Sequence, residues 1–288
     1  MGFGQHQSFY LRPQWLYKGL TEIKSDPRFF YNDTHFEQLG LGKNMAKSAK
    51  YWLFSTGLME EKRQSGKTEH HLTSLGELVD RYDKYIQHPV TKSILHYTLA
   101  SDPKIATSWY WFFNVFKESI FDKAILIETL ETWVGQTLEK SVSSNSLKRD
   151  IDCLIQMYSP NNLSSTPEDV IKSPFEELGL ISNTVKGTYK KTPLDTVFKF
   201  EVLFITFLIY IERNELNEVS LDELIDGEKL WGRIFNLPRS EIVNCLEEMQ
   251  KSYPIIFTRT NRLDVVRITD TTSYLDYMER FFENEVVL

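Results

Sequence analysis

The sequence predicts a mainly α fold with small β-hairpins (α+β): an N-terminal winged helix-turn-helix, a central helical region and a C-terminal winged-helix-like region. That expectation rests on helices followed by an alternating hairpin at both ends of the chain, and on a middle dense in aromatics at helical spacing. The implied domains are residues 1–88, 89–160 and 161–288.

Trp15 to Ile23 reads as a first helix, stopped at Asp26-Pro27, and Thr34 to Leu39 as a second, turned by Gly40 or Gly42. Asn44 to Ser55 forms a third, with Met45, Ala49, Trp52 and Leu53 at spacings of three and four. Gly57 ends it. "GLMEEK" then enters a hairpin, "RQSGKT" turns it and "EHHLT" returns. Ser74-Leu75-Gly76-Glu77 predicts a capping box for the next helix.

From Pro89 to Glu139 the patterns are helical and aromatic, and "SVSSNS" (141–146) precedes a helix from Leu147 to Tyr158. "SPNNLSSTP" (159–167) reads as a linker, with Thr166 as N-cap and Pro167 at the first helical position. The last third opens with "FEELGLI" and a basic turn, "TVKGTYKKTP", followed by a buried helix around Val202 to Ile211. Beyond it come a capping box at Ser220-Leu221-Asp222-Glu223, a helix in "LPRSEIVNCLEEMQKSY", and a hairpin in "IIFTRTNRLDVVRIT" around Asn261-Arg262.

The chain has 288 residues and is 41% apolar, enough to bury a sizeable core. Its net charge of −7 excludes attraction of nucleic acid by the field of the whole molecule. Charge is uneven, however: residues 1–71 carry ten Lys and Arg against seven Asp and Glu, with His6, His35, His70 and His71. Cys153 and Cys245 are too few and too far apart for a disulfide framework or a four-ligand zinc site. The N-terminus has no apolar core, and the longest apolar run is half what a bilayer crossing needs. A cytosolic protein with no membrane partner is expected.

Gly40-Leu41-Gly42-Lys43 resembles the end of a phosphate-binding loop, but Glu37 stands where the first glycine belongs and Asn44 where Ser or Thr belongs. The stretch is better read as the turn into the third helix. There Lys43, Lys47 and Lys50 share one face, opposite the apolar one, as on a helix that enters a major groove. Asn44 and Ser48 are short enough to reach base edges, while Lys62, Arg63 and Lys67 of the wing can reach flanking phosphates. The competing reading is a merely solvated basic face.

Six stretches together resemble a known family: "GQHQSFYLRPQWLYKGL", "LGLGKNMAKSAKYWLFSTGLMEE", "LTSLGEL", "ATSWYWFFNVF", "NSLKRDIDCLIQMY" and "SPFEELGLI". The family is a bacterial domain of unknown function found in anti-phage defence islands, and it includes the SspB-type component of single-stranded DNA phosphorothioation systems. The resemblance implies a DNA-acting role, with duplex DNA as substrate and strand nicking aided by Mg2+ or Mn2+ as the activity. It also implies a cysteine desulfurase, an ATP-pyrophosphatase-like sulfurtransferase and an ATPase as partners. A non-enzymatic DNA-binding adaptor or a protein-interaction scaffold is the alternative.

Nicking needs an activated nucleophile and stabilised charge on phosphorus. His6, Tyr10 and Arg12 form one polar cluster with suitable groups, though a strand whose polar residues hydrogen-bond to the first helix is the favoured reading. Asp150 and Asp152 form a second, but two residues apart on a helix they point in opposed directions and cannot hold one ion together. The same alternation on a strand separates His70 from His71.

Overall fold

The computed structural model describes residues 1–139, 141–159, 171–185, 187–260, 263–270 and 272–286. It is helix-dominated, with three small antiparallel sheets. The linker expected at 159–167, with Thr166 and Pro167, lies almost wholly outside the described residues, as does the turn at Asn261-Arg262.

The N-terminal third runs α1 (Pro13–Ser25), the single turn α2 (His35–Gln38), α3 (Lys43–Ser55), the hairpin β1 (Met59–Gln64) and β2 (Lys67–Leu72), and α4 (Ser74–Tyr82). Gly40, at φ 66°, makes the turn after α2, and extended Gly42 begins α3. Ser65 (φ 48°) and Gly66 (φ 79°) close the hairpin as a two-residue loop with both φ values positive, which matches the twist of the flanking strands. α4 starts one residue earlier than its expected capping box: Thr73 is the N-cap and its hydroxyl accepts from Gly76 N–H at 2.9 Å.

The middle carries α5 (Pro89–Ala100), α6 (Thr107–Tyr110) with a π-helical turn over Trp111–Val115, β3 (Ile120–Asp122), α7 (Lys123–Thr137) and α8 (Ser144–Tyr158). β3 corrects the all-helical expectation for this stretch. It pairs with β5 (Thr188–Lys191), which also pairs with β4 (Ile181–Asn183), so the stretch expected as a basic turn includes a strand. This sheet crosses the boundary placed at residue 160.

The last third holds α9 (Lys199–Asn214), β6 (Glu218–Ser220), α10 (Leu221–Asp226), α11 (Trp231–Ile234), α12 (Arg239–Met249), β7 (Ile255–Thr258), β8 (Val265–Ile268) and α13 (Tyr274–Val286). The capping box at Ser220 and Glu223 is formed in both directions. β8 lies between β6 and β7.

One continuous apolar cluster runs from Leu11 to Phe282 and draws on all three segments. His96 ties them together. Its Nε2 donates to the Ile234 carbonyl at 3.0 Å, so its Nδ1 accepts from the Tyr158 hydroxyl at 2.7 Å. Complete burial pushes its pKa down to about 4, which keeps the ring neutral at pH 7. α13 returns to α4, where Phe282 stacks on Tyr82 and Arg81 pairs with Glu279 at 2.6 Å.

Candidate nucleic-acid interface

α3 is anchored by Ala46, Ala49, Trp52 and Leu53, all fully buried, and shows Lys43, Asn44 and Lys47 to solvent. Its first turn has no acidic residue and no side-chain cap, so two ammonium groups sit at the positive end of the helix dipole. That placement is unfavourable for the helix alone and concentrates a positive field at its tip. The Lys43 ammonium lies 5.1 Å from the Phe36 ring centre. Lys50 is half-buried, 3.5 Å from a Glu61 carboxylate oxygen and 5.2 Å from the Tyr31 ring centre.

Ser48 departs from the expected base-reading position. It is fully buried, and its hydroxyl donates to the Phe9 carbonyl at 3.2 Å, which also accepts from Trp52 Nε1 at 3.0 Å. The N-terminal segment covers that flank of α3, so Ser48 cannot reach a groove.

In the hairpin, Glu60 to Gln64 reach out from the body. Lys62 is paired with Glu60 at 2.8 Å, whereas Arg63 and Lys67, next to the turn, are exposed and make no ion pair among the described residues. His70 and His71 do separate. His70 is buried, and burial together with the nearby Lys50 charge lowers its pKa, while His71 lies partly exposed beside Glu69.

Sequence reasoning missed Arg28 and Tyr31. The Tyr31 ring is 43% exposed, stacks on buried His70 at 4.9 Å and has the Arg28 guanidinium 4.9 Å from its centre. Arg28 is held there by donating to the Thr68 carbonyl at 3.0 Å. The Arg28 and Lys50 cations both lie over this partly exposed ring, which joins α3 to the hairpin. The "DPRFFY" stretch was the available signal.

The two clusters considered for phosphodiester chemistry meet in space, but away from this surface. Asp150 is buried and accepts from Gly4 N–H at 2.8 Å, His6 Nε2 at 2.8 Å and the Ser108 hydroxyl at 2.6 Å. His6 is buried against Trp52 and Trp109, and its Nδ1 has no hydrogen-bond partner among the described residues. Asp152 is exposed and pairs with Lys123 at 2.6 Å, but Asp150 falls on the apolar stripe of Leu147, Ile151 and Leu154.

Tyr10 is half-buried and donates to the Ile171 carbonyl at 2.8 Å. Arg12, 8% exposed, lies over the Tyr10 and Trp15 rings with its Nε buried and without a hydrogen-bond partner among the described residues. His6 therefore points into the core while Tyr10 and Arg12 stay together at its edge. These residues do not fit a Mg2+ or Mn2+ seat, because Asp150 is already engaged by three donors and Asp152 lies on the far side of α8. Among the described residues, no three His, Cys, Asp or Glu side chains gather as metal ligands would.

Residues 3–282 match the model of a family described as protein of unknown function (DUF4007). The chain belongs to this family. The six stretches distinguished in the sequence pointed to it. Two solved structures share the fold of this DUF4007 chain: one described as a magnesium ion-bound SspB crystal structure, with TM-score 0.86, and one as an SspB crystal structure, with TM-score 0.85. Each is 24% identical to the chain, and each match covers 99% of this chain and 87% of the other. No curated protein matches. Among the described residues, no helix is long and apolar enough to cross a membrane.

Proposed function

We propose that this chain is a DNA-binding component of a phosphorothioation system in anti-phage defence, working in the cytoplasm. In this reading α1 to α3 and the β1–β2 hairpin form a winged helix-turn-helix that docks duplex DNA. The observation that carries it is the set of exposed cations that make no ion pair among the described residues: Lys43 and Lys47 in the first half of α3, and Arg63 and Lys67 beside the hairpin turn. Lys43 and Lys47 engage phosphates, Asn44 meets a base edge, and Tyr31 with Arg28 and Lys50 holds the strand between helix and wing. Lys62 contributes less because Glu60 offsets it.

Strand nicking is the second reading, favoured by the fold shared with a structure described as magnesium ion-bound SspB. The buried His6 and Asp150 do not support a role for themselves in that chemistry. A cysteine desulfurase, an ATP-pyrophosphatase-like sulfurtransferase and an ATPase are the partners this reading supplies.

One gel tests both. Supercoiled plasmid is incubated with the protein in EDTA, Mg2+ or Mn2+. Retarded but intact plasmid, lost in Lys43→Glu/Lys47→Glu, supports docking alone, and metal-dependent open circles support nicking. Absence of any retardation at low salt overturns the docking proposal.

A further inference from the structure

A cleft of 690 Å³ opens beside the first turn of α1, and neither α3 nor the hairpin lines it. Its volume is that of a small-molecule site. Lys18, Lys92 and Lys172 line it against a single acid, Glu177.

Lys92 is the deepest of these, 5% exposed, and its ammonium is hydrogen-bonded to the Glu177 carboxylate, whose side chain is 62% exposed. A buried cation whose counter-ion stands in water can trade that carboxylate for an incoming anion without being left uncompensated. Lys172 rests on Glu176 at 2.7 Å, and Lys18 donates to the Leu39 carbonyl. Pro13 and Gln14 bring the start of α1 to the same wall, with no acid in its first turn and no side-chain cap.

The other end of the cleft is aromatic. Tyr17 and Tyr85 lie 4.8 Å apart, and the Tyr85 ring is 48% exposed, with the Lys84 ammonium 5.0 Å from its centre. The loop carrying Tyr85 is held in an unusual shape. Asp83 accepts from the backbone N–H groups of Gln87 at 2.8 Å and His88 at 2.9 Å, and buried Ile86 between them adopts φ 55°. A β-branched residue is strained there, and such strain persists where the surrounding structure fixes a wall in place.

We propose that this cleft binds a nucleotide, with its phosphates displacing Glu177 from Lys92 and its planar ring stacked on Tyr85. The test is titration of the full chain in EDTA with ATP, adenosine and inorganic phosphate, read by equilibrium binding and thermal shift. ATP binds and raises the melting temperature, while adenosine and phosphate each bind more weakly. Tyr85→Ala, at an exposed position, weakens ATP by about tenfold. Lys92→Met weakens it further, and Glu177→Gln, which leaves Lys92 an acceptor, tightens it. Circular dichroism checks that the variants fold, and Tyr85→Ala and Glu177→Gln suffice if Lys92→Met does not. No binding of ATP at millimolar concentration, equal binding of ATP and phosphate, or equal ATP affinity in Tyr85→Ala and the parent chain overturns the assignment.

Discussion

His6 Nε2 lies 2.8 Å from Asp150 Oδ1, joining the N-terminal segment to α8 across nearly half the chain. Gly4 N–H and the Ser108 hydroxyl complete the shell of donors around that carboxylate. With both side chains buried, this pair locks the N-terminal segment over α3.

Asp150→Ala leaves three donors, two of them buried, without their acceptor and is expected to cost about 3–5 kcal/mol, as breaking a buried pair does. Urea unfolding measures it. Asp150→Asn keeps the side-chain shape; where it folds, it is expected to retain both plasmid binding and any nicking the parent chain shows, whereas binding kept with nicking lost would mark a catalytic role.

Gly76 sits where α4 crosses the hairpin, and a Cβ there would lie 2.1 Å from the Leu58 carbonyl oxygen. The obstacle is backbone and cannot rotate aside. Gly76→Ala is therefore expected to destabilise the chain by about 1–3 kcal/mol, visible as a lower melting temperature.

His96 gives an acid dependence with a defined sign. Its folded pKa is lowered to about 4, below the ordinary 6.5, by burial. Between those values the unfolded chain takes up a proton that the folded chain refuses, so stability is lost as pH falls from 6.5 toward 4, at about 1.4 kcal/mol per pH unit. Urea midpoints of the parent and His96→Gln across that window check it, with the smaller slope expected in the variant.

Lys191 gives the same sign in an alkaline window. Its amine donates to the Phe112 and Phe116 carbonyls at the end of the π-helical turn, while burial and the nearby Arg233 charge push its pKa down to about 7. From there to its ordinary 10.5 the unfolded chain holds the extra proton, so this group makes the fold more stable as pH rises. The stability difference between the parent chain and Lys191→Met is expected to grow from pH 7 to 9.

Much of the α3 surface was legible because helical spacing alone separates Lys43 and Lys47 from Ala49 and Trp52. Ser48 was not, since what covers it is the Phe9 carbonyl from far upstream. Asp150 was not read as buried: although it stands three residues after Leu147, nothing local named Gly4, His6 and Ser108 as the donors that satisfy it. β3, β4 and β5 escaped notice because strands of three or four residues show too few alternations to stand out. Arg28 and Tyr31 gain meaning only when His70 and Lys50 are brought beside them by the fold.

The salt dependence of duplex DNA binding is the most direct test of the docking surface. The slope of log K against log salt is compared between the parent chain and Lys43→Gln/Lys47→Gln. Loss of two phosphate contacts is expected to flatten it by about two, with circular dichroism unchanged. An identical slope and affinity in the variant would contradict docking through α3.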